Sequence, residues 1–160
     1  MELKHTASAL PARAVRWGTV IALLDIASAM AFWAAYRGVS PLRILQSVAA
    51  GVQGKAAFAG GAASALLGAA LHLMLAWAIA GIFAWTVGAK PQLMRHPLRT
   101  GALAGLVVYA VMNFVVVPLS QATPPRFDLL WVVYSVTFSH LICVGICLAL
   151  LARREGVGQV

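Results

Sequence analysis

Charged residues are scarce in this sequence, and acidic residues are the scarcest. Of 160 residues, 10% are charged and only 4 are Asp or Glu, whereas 62% are hydrophobic. The mean hydropathy is +0.89. An average soluble domain carries about 25% charged residues. These figures exclude an ordinary soluble domain, and the apolar content excludes an intrinsically disordered chain.

Cysteine is also rare, and motifs of soluble enzymes are missing. The two cysteines, Cys143 and Cys147, lie four residues apart in an apolar run. On a regular helix this spacing rarely allows disulfide geometry. The sequence has no Walker loop, no GxSxG and no HExxH. It therefore predicts no structural disulfide and offers no motif for an enzymatic activity.

Four long apolar runs make up most of the chain, at about 15–36, 61–88, 101–119 and 129–152. A hydrocarbon core ~30 Å thick requires roughly 20 apolar residues per helix. A helix is required because unpaired backbone groups are too costly in lipid. We therefore predict an all-α integral membrane protein, with residues 1–160 forming a single transmembrane domain built as a four-helix transmembrane bundle.

The segment between the first two runs predicts a further short helix, at about 41–55. Ser40-Pro41 is typical of a helix start with proline in the first turn. Apolar residues then recur near helical spacing. The polar residues on the other faces are Arg43, Gln46, Gln53 and Lys55. This pattern predicts an interfacial helix on the membrane–water boundary or tucked back into it; the alternative is a loop without regular structure.

The cations indicate how the chain crosses the membrane. The 12 Lys and Arg residues are spread between the apolar runs, which argues against a nucleic-acid partner and for the lipid bilayer. One side carries eight: Lys4, Arg13, Arg16, Lys90, Arg95, Arg99, Arg153 and Arg154. The other side carries four: Arg37, Arg43, Lys55 and Arg126. The positive-inside rule predicts a multi-pass protein of the cell's inner (plasma) membrane with both termini in the cytoplasm.

Four polar residues lie near the middle of the runs: Asp25, His72, Asn113 and His140. A charge at that depth costs about 3 kcal/mol on insertion scales. Small residues share their helix faces and allow close packing, so these side chains are expected to converge inside the bundle. Asp25 with His72 is the first expected pair.

Two functions fit this polar cluster equally well. One is a proton or ion relay, or a substrate site, in a small transporter or permeation subunit. The other is structural: hydrogen bonds that fix the helix register of an accessory protein, which binds a membrane partner protein or further copies of itself.

A metal or haem role is a third hypothesis. At spacing i, i+3, i+7, a regular helix places His140, Cys143 and Cys147 on one face, and such soft ligands suit Cu(I) or zinc. Ordinary packing of cysteine in an apolar core is the alternative. A haem held between His72 and His140 is a further option. The sequence identifies no cofactor and no substrate.

The order of several short motifs resembles a family of uncharacterised small bacterial inner-membrane proteins with four spans. The motifs are Leu24-Asp25, Ser40-Pro41 followed by Arg43 and Gln46, Gly60-Gly61, Pro118-Leu119-Ser120, and Ser139-His140. The resemblance covers most of the chain. It implies a four-helix membrane protein without an established activity, so it assigns no catalytic or ligand-binding residue.

Overall fold

Apolar helices account for most of the fold. A computed structural model of the protein describes residues 2–123 and 128–157, with residues 2–9 described by their backbone alone. The described residues form helices and no strand. Four helices are long and apolar enough to cross a membrane: span 1, Leu10–Arg37; span 2, Gly61–Ala89; span 3, Pro97–Leu119; and span 4, Leu129–Arg154. The predicted all-α fold with four apolar helices is confirmed.

The spans pack as two pairs. Span 1 lies along span 2 and span 3 lies along span 4, while spans 1 and 4 join the pairs. Trp17 and Ile21 of span 1, Ala80 of span 2 and Leu148 of span 4 are all buried in one core cluster. This core lies toward the end of the bundle where span 1 begins and span 4 ends.

Glycine brings the backbones of spans 3 and 4 into contact. A Cβ added to Gly145 would lie 2.7 Å from the nitrogen of Gly105 and 2.8 Å from its Cα. A Cβ added to Gly101 would lie 2.6 Å from the carbonyl oxygen of Gly145. Small residues at helix contacts permit such close packing in membranes. Here the opposing atoms are backbone and cannot move aside.

Spans 1 and 2 approach in a similar way at Gly18. A Cβ on Gly18 would lie 2.7 Å from the Cα of Trp77. Next to it, the indole Nε1 of Trp77 donates a hydrogen bond to Thr19 Oγ1 at 3.0 Å. The pair is therefore held by backbone contact and by a polar bond at the same level.

A separate helix, Pro41–Gln53, links spans 1 and 2. Gly38 follows the last helical residue of span 1 and has a φ of 64°. Its N–H donates to the carbonyl of Ala34, as in a left-handed helix cap. Ser40 then caps the linking helix by accepting from the backbone N–H of Arg43, with proline in the first turn as predicted.

The linking helix ends earlier than the predicted limit of about 55. It stops at Gln53 because Gly54, with a φ of 57°, turns the chain into a 3-10 helix, Gly54–Ala59. Lys55 therefore lies in the 3-10 helix, where it is exposed. Arg43 and Gln53 are also exposed, and the guanidinium of Arg43 lies 4.3 Å from the centre of the Phe58 ring.

The linking helix packs against the first part of span 2. Gly68 directly meets the carbonyl of Leu45, so closely that a side chain does not fit. Gly68 lies about 10 Å along span 2 at ~1.5 Å per residue, so the helix is tucked back beside the span. Gln46 was expected on a polar face, but it is 3% exposed and donates to the carbonyl of Gly61 at 3.1 Å. Its amide fits inside because it has this partner.

The beginning of span 1 and the end of span 4 lie on one side of the bundle. Glu155, after span 4, accepts from Arg16 Nη2 at 2.9 Å, Arg13 Nε at 3.3 Å and Trp17 Nε1 at 2.8 Å. These three donors lie at the beginning of span 1. The start of span 1 and the end of span 4 are therefore held together.

The opposite side of the bundle carries a second ion pair. Arg37 Nη2 at the end of span 1 lies 3.3 Å from Asp128 Oδ2. Asp128 also caps span 4 by accepting from the backbone N–H of Trp131 at 2.9 Å. Two of the cations counted in the sequence, the Lys4 side chain and Arg126, lie outside the described residues.

The glycine contact between spans 3 and 4 gives a direct test of the packing. We expect Gly145→Ala to lower the free energy of unfolding by about 1–3 kcal/mol, because the added methyl meets only backbone. Gly88→Ala is the matched control, since a Cβ there meets nothing within 4 Å. Thermal denaturation in mild detergent measures both. Equal melting temperatures of the two variants would contradict the close approach.

Candidate functional site

Asp25 is the acidic residue inside span 1, and its side chain lies close to residues of spans 2 and 4. The hydroxyl of Ser139, on span 4, donates a short hydrogen bond to Asp25 Oδ1. The other carboxylate oxygen, Oδ2, lies 3.9 Å from His72 Nε2 on span 2. The Asp25 and His72 side chains are 21% and 18% exposed, respectively. The predicted approach of Asp25 and His72 is thus present, and Ser139 joins it.

His72 is fixed by the backbone of span 1. Its Nε2 lies 3.0 Å from the carbonyl oxygen of Ala22. Because a carbonyl oxygen only accepts, Nε2 carries a hydrogen in this arrangement.

His140 is the polar residue near the middle of span 4. Its Nδ1 lies 2.8 Å from the carbonyl oxygen of Ser135, five residues earlier. The Nδ1 hydrogen is donated to that oxygen, so Nε2 of the neutral ring is an acceptor. The ring also meets Tyr109 of span 3 edge to face, with 5.4 Å between the ring centres. His140 is therefore held by its own span and by its neighbour.

A small cavity lies between all four spans, and three of the predicted polar residues line it. Its volume is about 70 Å³. The share of liquid volume taken by one water is about 30 Å³, so the cavity has room for one or two waters. Its polar side chains are Asp25, His72 and His140, and its apolar wall includes Ile21, Leu75, Met112 and Val144.

The three titratable groups lie at similar depth. His72 is about 17 Å from the beginning of span 2, and Asp25 is about 18 Å from the end of span 1, at ~1.5 Å per residue. His140 lies beside them on the same cavity. The beginning of span 2 and the end of span 1 lie on the same side of the bundle. The cavity is therefore far from both ends of the helices.

Asn113 does not belong to this cavity. It is buried, at 9% exposed, and its Nδ2 donates to the carbonyl of Tyr109 on its own span at 3.0 Å. The cavity wall does not include it. Of the four predicted polar residues, the structure brings Asp25, His72 and His140 together and leaves Asn113 with a hydrogen bond inside span 3.

Two π-helical segments shape the site. Span 3 contains Met112–Val116 and span 4 contains Tyr134–Ile146. In span 3 the cause is local: Pro118 has no N–H, and its ring would clash with the carbonyl four residues earlier. The N–H of Val117 donates instead to the carbonyl of Met112, five residues back. π-Helical turns are rare and occur frequently at functional sites.

The longer π-helix carries Ser135, Ser139 and His140 together. Ser139 was not among the predicted site residues, because a serine in an apolar span usually bonds back to its own helix. Here its hydroxyl reaches span 1 instead. The only sequence signal that could have indicated Ser139 is its position next to His140 in an apolar span.

Ser28 and Tyr134 form a second contact between spans 1 and 4 that the sequence analysis did not identify. Their oxygens are 2.7 Å apart, and the Tyr134 ring stacks on Phe32 with 3.9 Å between ring centres. Ser28 is one helical turn from Asp25. This contact closes the space between spans 1 and 4 on one side of the carboxyl group.

The predicted metal ligands do not converge. Within residues 2–123 and 128–157, no three side chains of His, Cys, Asp or Glu lie close enough to hold a metal ion. Cys143 is buried and Cys147 is half-buried, both as free thiols. The π-helix also removes the regular i, i+3, i+7 face on which the grouping of His140 with the cysteines depended.

A haem does not fit between the two histidines. His72 and His140 face one cavity, but its volume of about 70 Å³ is far below the 300–1,000 Å³ typical of small-molecule pockets. His72 Nε2 is also engaged by the carbonyl of Ala22, whereas the bond from His140 Nδ1 to the carbonyl of Ser135 leaves Nε2 of that ring available.

No family model, no curated protein and no solved structure matches the chain, so comparison with known proteins identifies neither a family nor a function. The resemblance to small bacterial four-span proteins therefore rests on the short sequence motifs alone.

The contact between Asp25 and His72 can be measured by a double-mutant cycle. We expect Asp25→Asn and His72→Gln to show a coupling free energy of about 0.5 kcal/mol or more, because the effects of substitutions at side chains in contact are not additive. Unfolding in mixed micelles measures each variant. Asp25→Asn combined with His96→Gln is the control, since His96 is exposed on a segment outside the spans. Additivity in both cycles would contradict the contact.

Proposed function

We propose that the protein is a small polytopic protein of the inner membrane that conducts protons through the cavity between its four spans. The observation that carries this proposal is the convergence of Asp25, His72 and His140 on one cavity at mid-depth. Ionisable residues inside a membrane are costly, and they commonly mark proton or ion pathways. Carboxyl and imidazole groups are the usual members of such relays.

The geometry favours protons over larger substrates. The cavity of about 70 Å³ accepts a water but not a metabolite. The Asp25 carboxylate takes up a proton, and a water in the cavity transfers it to Nε2 of His140, whose Nδ1 is already protonated. His140 then releases a proton toward the other side. Asp25 is left ionised, so the cycle can repeat without any other reactant.

The proposed orientation places both termini in the cytoplasm. The ion pairs of Glu155 hold the start of span 1 beside the end of span 4. Eight of the 12 cations of the sequence lie on that side of the spans. The positive-inside rule places the more basic side in the cytoplasm.

A structural role is the second candidate function, and a specific observation favours it. Each polar group of the cavity has a partner within the protein: Asp25 has Ser139, His72 has Ala22, and His140 has Ser135. Hydrogen bonds of this kind fix the register of packed spans. The protein would then be an accessory membrane protein that binds a partner protein or a second copy of itself.

Proton flux into liposomes tests the two candidates. We expect the purified protein to dissipate an imposed pH gradient, followed with a pH-sensitive dye, and Asp25→Asn to reduce the rate at least about tenfold because the amide cannot take up the proton. The variant keeps an oxygen that accepts from Ser139, so the fold is retained.

Asp128→Asn is the matched control. It removes a carboxylate at the beginning of span 4, and asparagine caps a helix as well as aspartate does. Its flux should equal that of the unchanged protein. Flux no greater than in empty liposomes, or equal flux in Asp25→Asn and the unchanged protein, would overturn proton conduction. A lowered melting temperature of Asp25→Asn without any flux would favour the structural role.

A further inference from the structure

The cavity around Asp25 ends, on one side, at buried apolar side chains. Three residues of its wall, Ile21, Ala76 and Val144, also belong to the main core cluster. That cluster lies toward the end of the bundle where span 1 begins and span 4 ends. On this side the cavity therefore borders the packed core rather than water.

One helical turn further in this direction, each span contributes an apolar side chain in or against the core. Each of these side chains belongs to a residue four positions from a residue of the cavity wall. They are Trp17 on span 1, Ala80 on span 2, Ala104 on span 3 and Leu148 on span 4. Together with Ile21 these four residues form what we call the apolar layer. Ile21, Trp17, Ala80 and Leu148 are at most 1% exposed, and the layer is about 6 Å deep at ~1.5 Å per residue.

A carboxylate within reach of water lies on the far side of the apolar layer. Trp17 Nε1 donates to Glu155 Oε1 at 2.8 Å, and the Glu155 side chain is 28% exposed. The cavity with Asp25 lies on the near side. The apolar layer therefore separates two groups of polar side chains that are each able to bind water.

The spans offer no hydroxyl bridge across this layer next to Asp25. Thr19 is the only residue with a hydroxyl group between Trp17 and Asp25 on span 1. Its Oγ1 donates to the carbonyl of Val15 at 2.7 Å, so its hydrogen is directed away from the cavity. Proton transfer needs groups within hydrogen-bond reach, directly or through one water. A proton therefore crosses the layer only when water enters it.

The surroundings of Asp25 on the opposite side are polar. The oxygens of Ser28 and Tyr134 are 2.7 Å apart, and Ser139 donates to the carboxyl group itself. A buried water typically makes two to four hydrogen bonds, and such partners exist on this side. The main obstacle to proton movement is therefore the apolar layer.

We propose that the apolar layer is the gate of the proton pathway, with Ile21 as the residue that keeps water out. The proposal rests on the proton conduction proposed above, and it assigns the rate-limiting barrier to the side where span 1 begins. Apolar constrictions gate channels by excluding water. Ile21 is the central member, because it lines the cavity and is itself 1% exposed in the core.

A hydroxyl group placed in the apolar layer tests the gate. Ile21→Thr and Ile21→Val remove nearly the same volume, but only threonine adds an oxygen that binds water. Proton flux into liposomes is followed with a pH-sensitive dye. We expect Ile21→Thr to conduct about fivefold faster than Ile21→Val or more, because a polar group in the constriction lets water enter.

Two further variants exclude a general leak. Leu23→Thr adds the same hydroxyl group to span 1 at a side chain that is 63% exposed, so its flux should equal that of the unchanged protein. Ile21→Thr combined with Asp25→Asn should conduct no faster than Asp25→Asn alone, because the opened route still passes through Asp25.

A second position in the layer repeats the test if Ile21→Thr does not fold. Leu148→Thr compared with Leu148→Val introduces the hydroxyl group from span 4, and the same difference in flux is expected. Melting temperatures in mild detergent verify that each variant is folded.

The outcomes separate the gate from proton conduction itself. Equal flux in the folded threonine and valine variants would overturn the gate, even if the unchanged protein conducts protons. A fast flux in Ile21→Thr that persists with Asp25→Asn would also overturn it. Flux in Ile21→Thr that requires Asp25, without flux in the unchanged protein, would support the gate and contradict conduction by the unchanged protein.

Discussion

Direct contact between backbones at glycine is the constraint on which the rest of this structure depends. Lipid tails are as apolar as leucine, so spans associate through close packing and polar bonds rather than through the hydrophobic effect. Gly145 against Gly105 brings spans 3 and 4 together, and Gly18 against Trp77 does the same for spans 1 and 2. Larger side chains at these positions would separate the helices. The polar groups near the middle of the bundle would then be too far apart to form hydrogen bonds with one another.

The polar cluster follows from that closeness. A carboxyl group at mid-depth is costly unless it has partners, and the partners of Asp25 come from two other spans. The hydroxyl of Ser139 reaches it because a π-helix alters the regular spacing of span 4. The cavity that Asp25, His72 and His140 line lies between the two helix pairs.

The sequence predicts the features set by composition and by local rules. The length of the apolar runs requires four helices, Ser40-Pro41 starts the linking helix, and the matched depth of Asp25 and His72 anticipates their approach. The inward position of Gln46 could not be predicted, because it depends on the carbonyl of Gly61 in another element. The long π-helix of span 4 leaves no periodic signal in a segment that is apolar on every face.

The contact between spans 1 and 4 is held at both of its ends as well as in its middle. Where span 1 begins, its arginines pair with Glu155, which follows span 4. Where span 1 ends, Arg37 pairs with Asp128, which caps the beginning of span 4. Between these ion pairs the hydroxyl of Ser139 reaches the carboxyl group of Asp25. Because the same two spans carry all three contacts, a change in their packing would disturb the ion pairs and the polar cluster together.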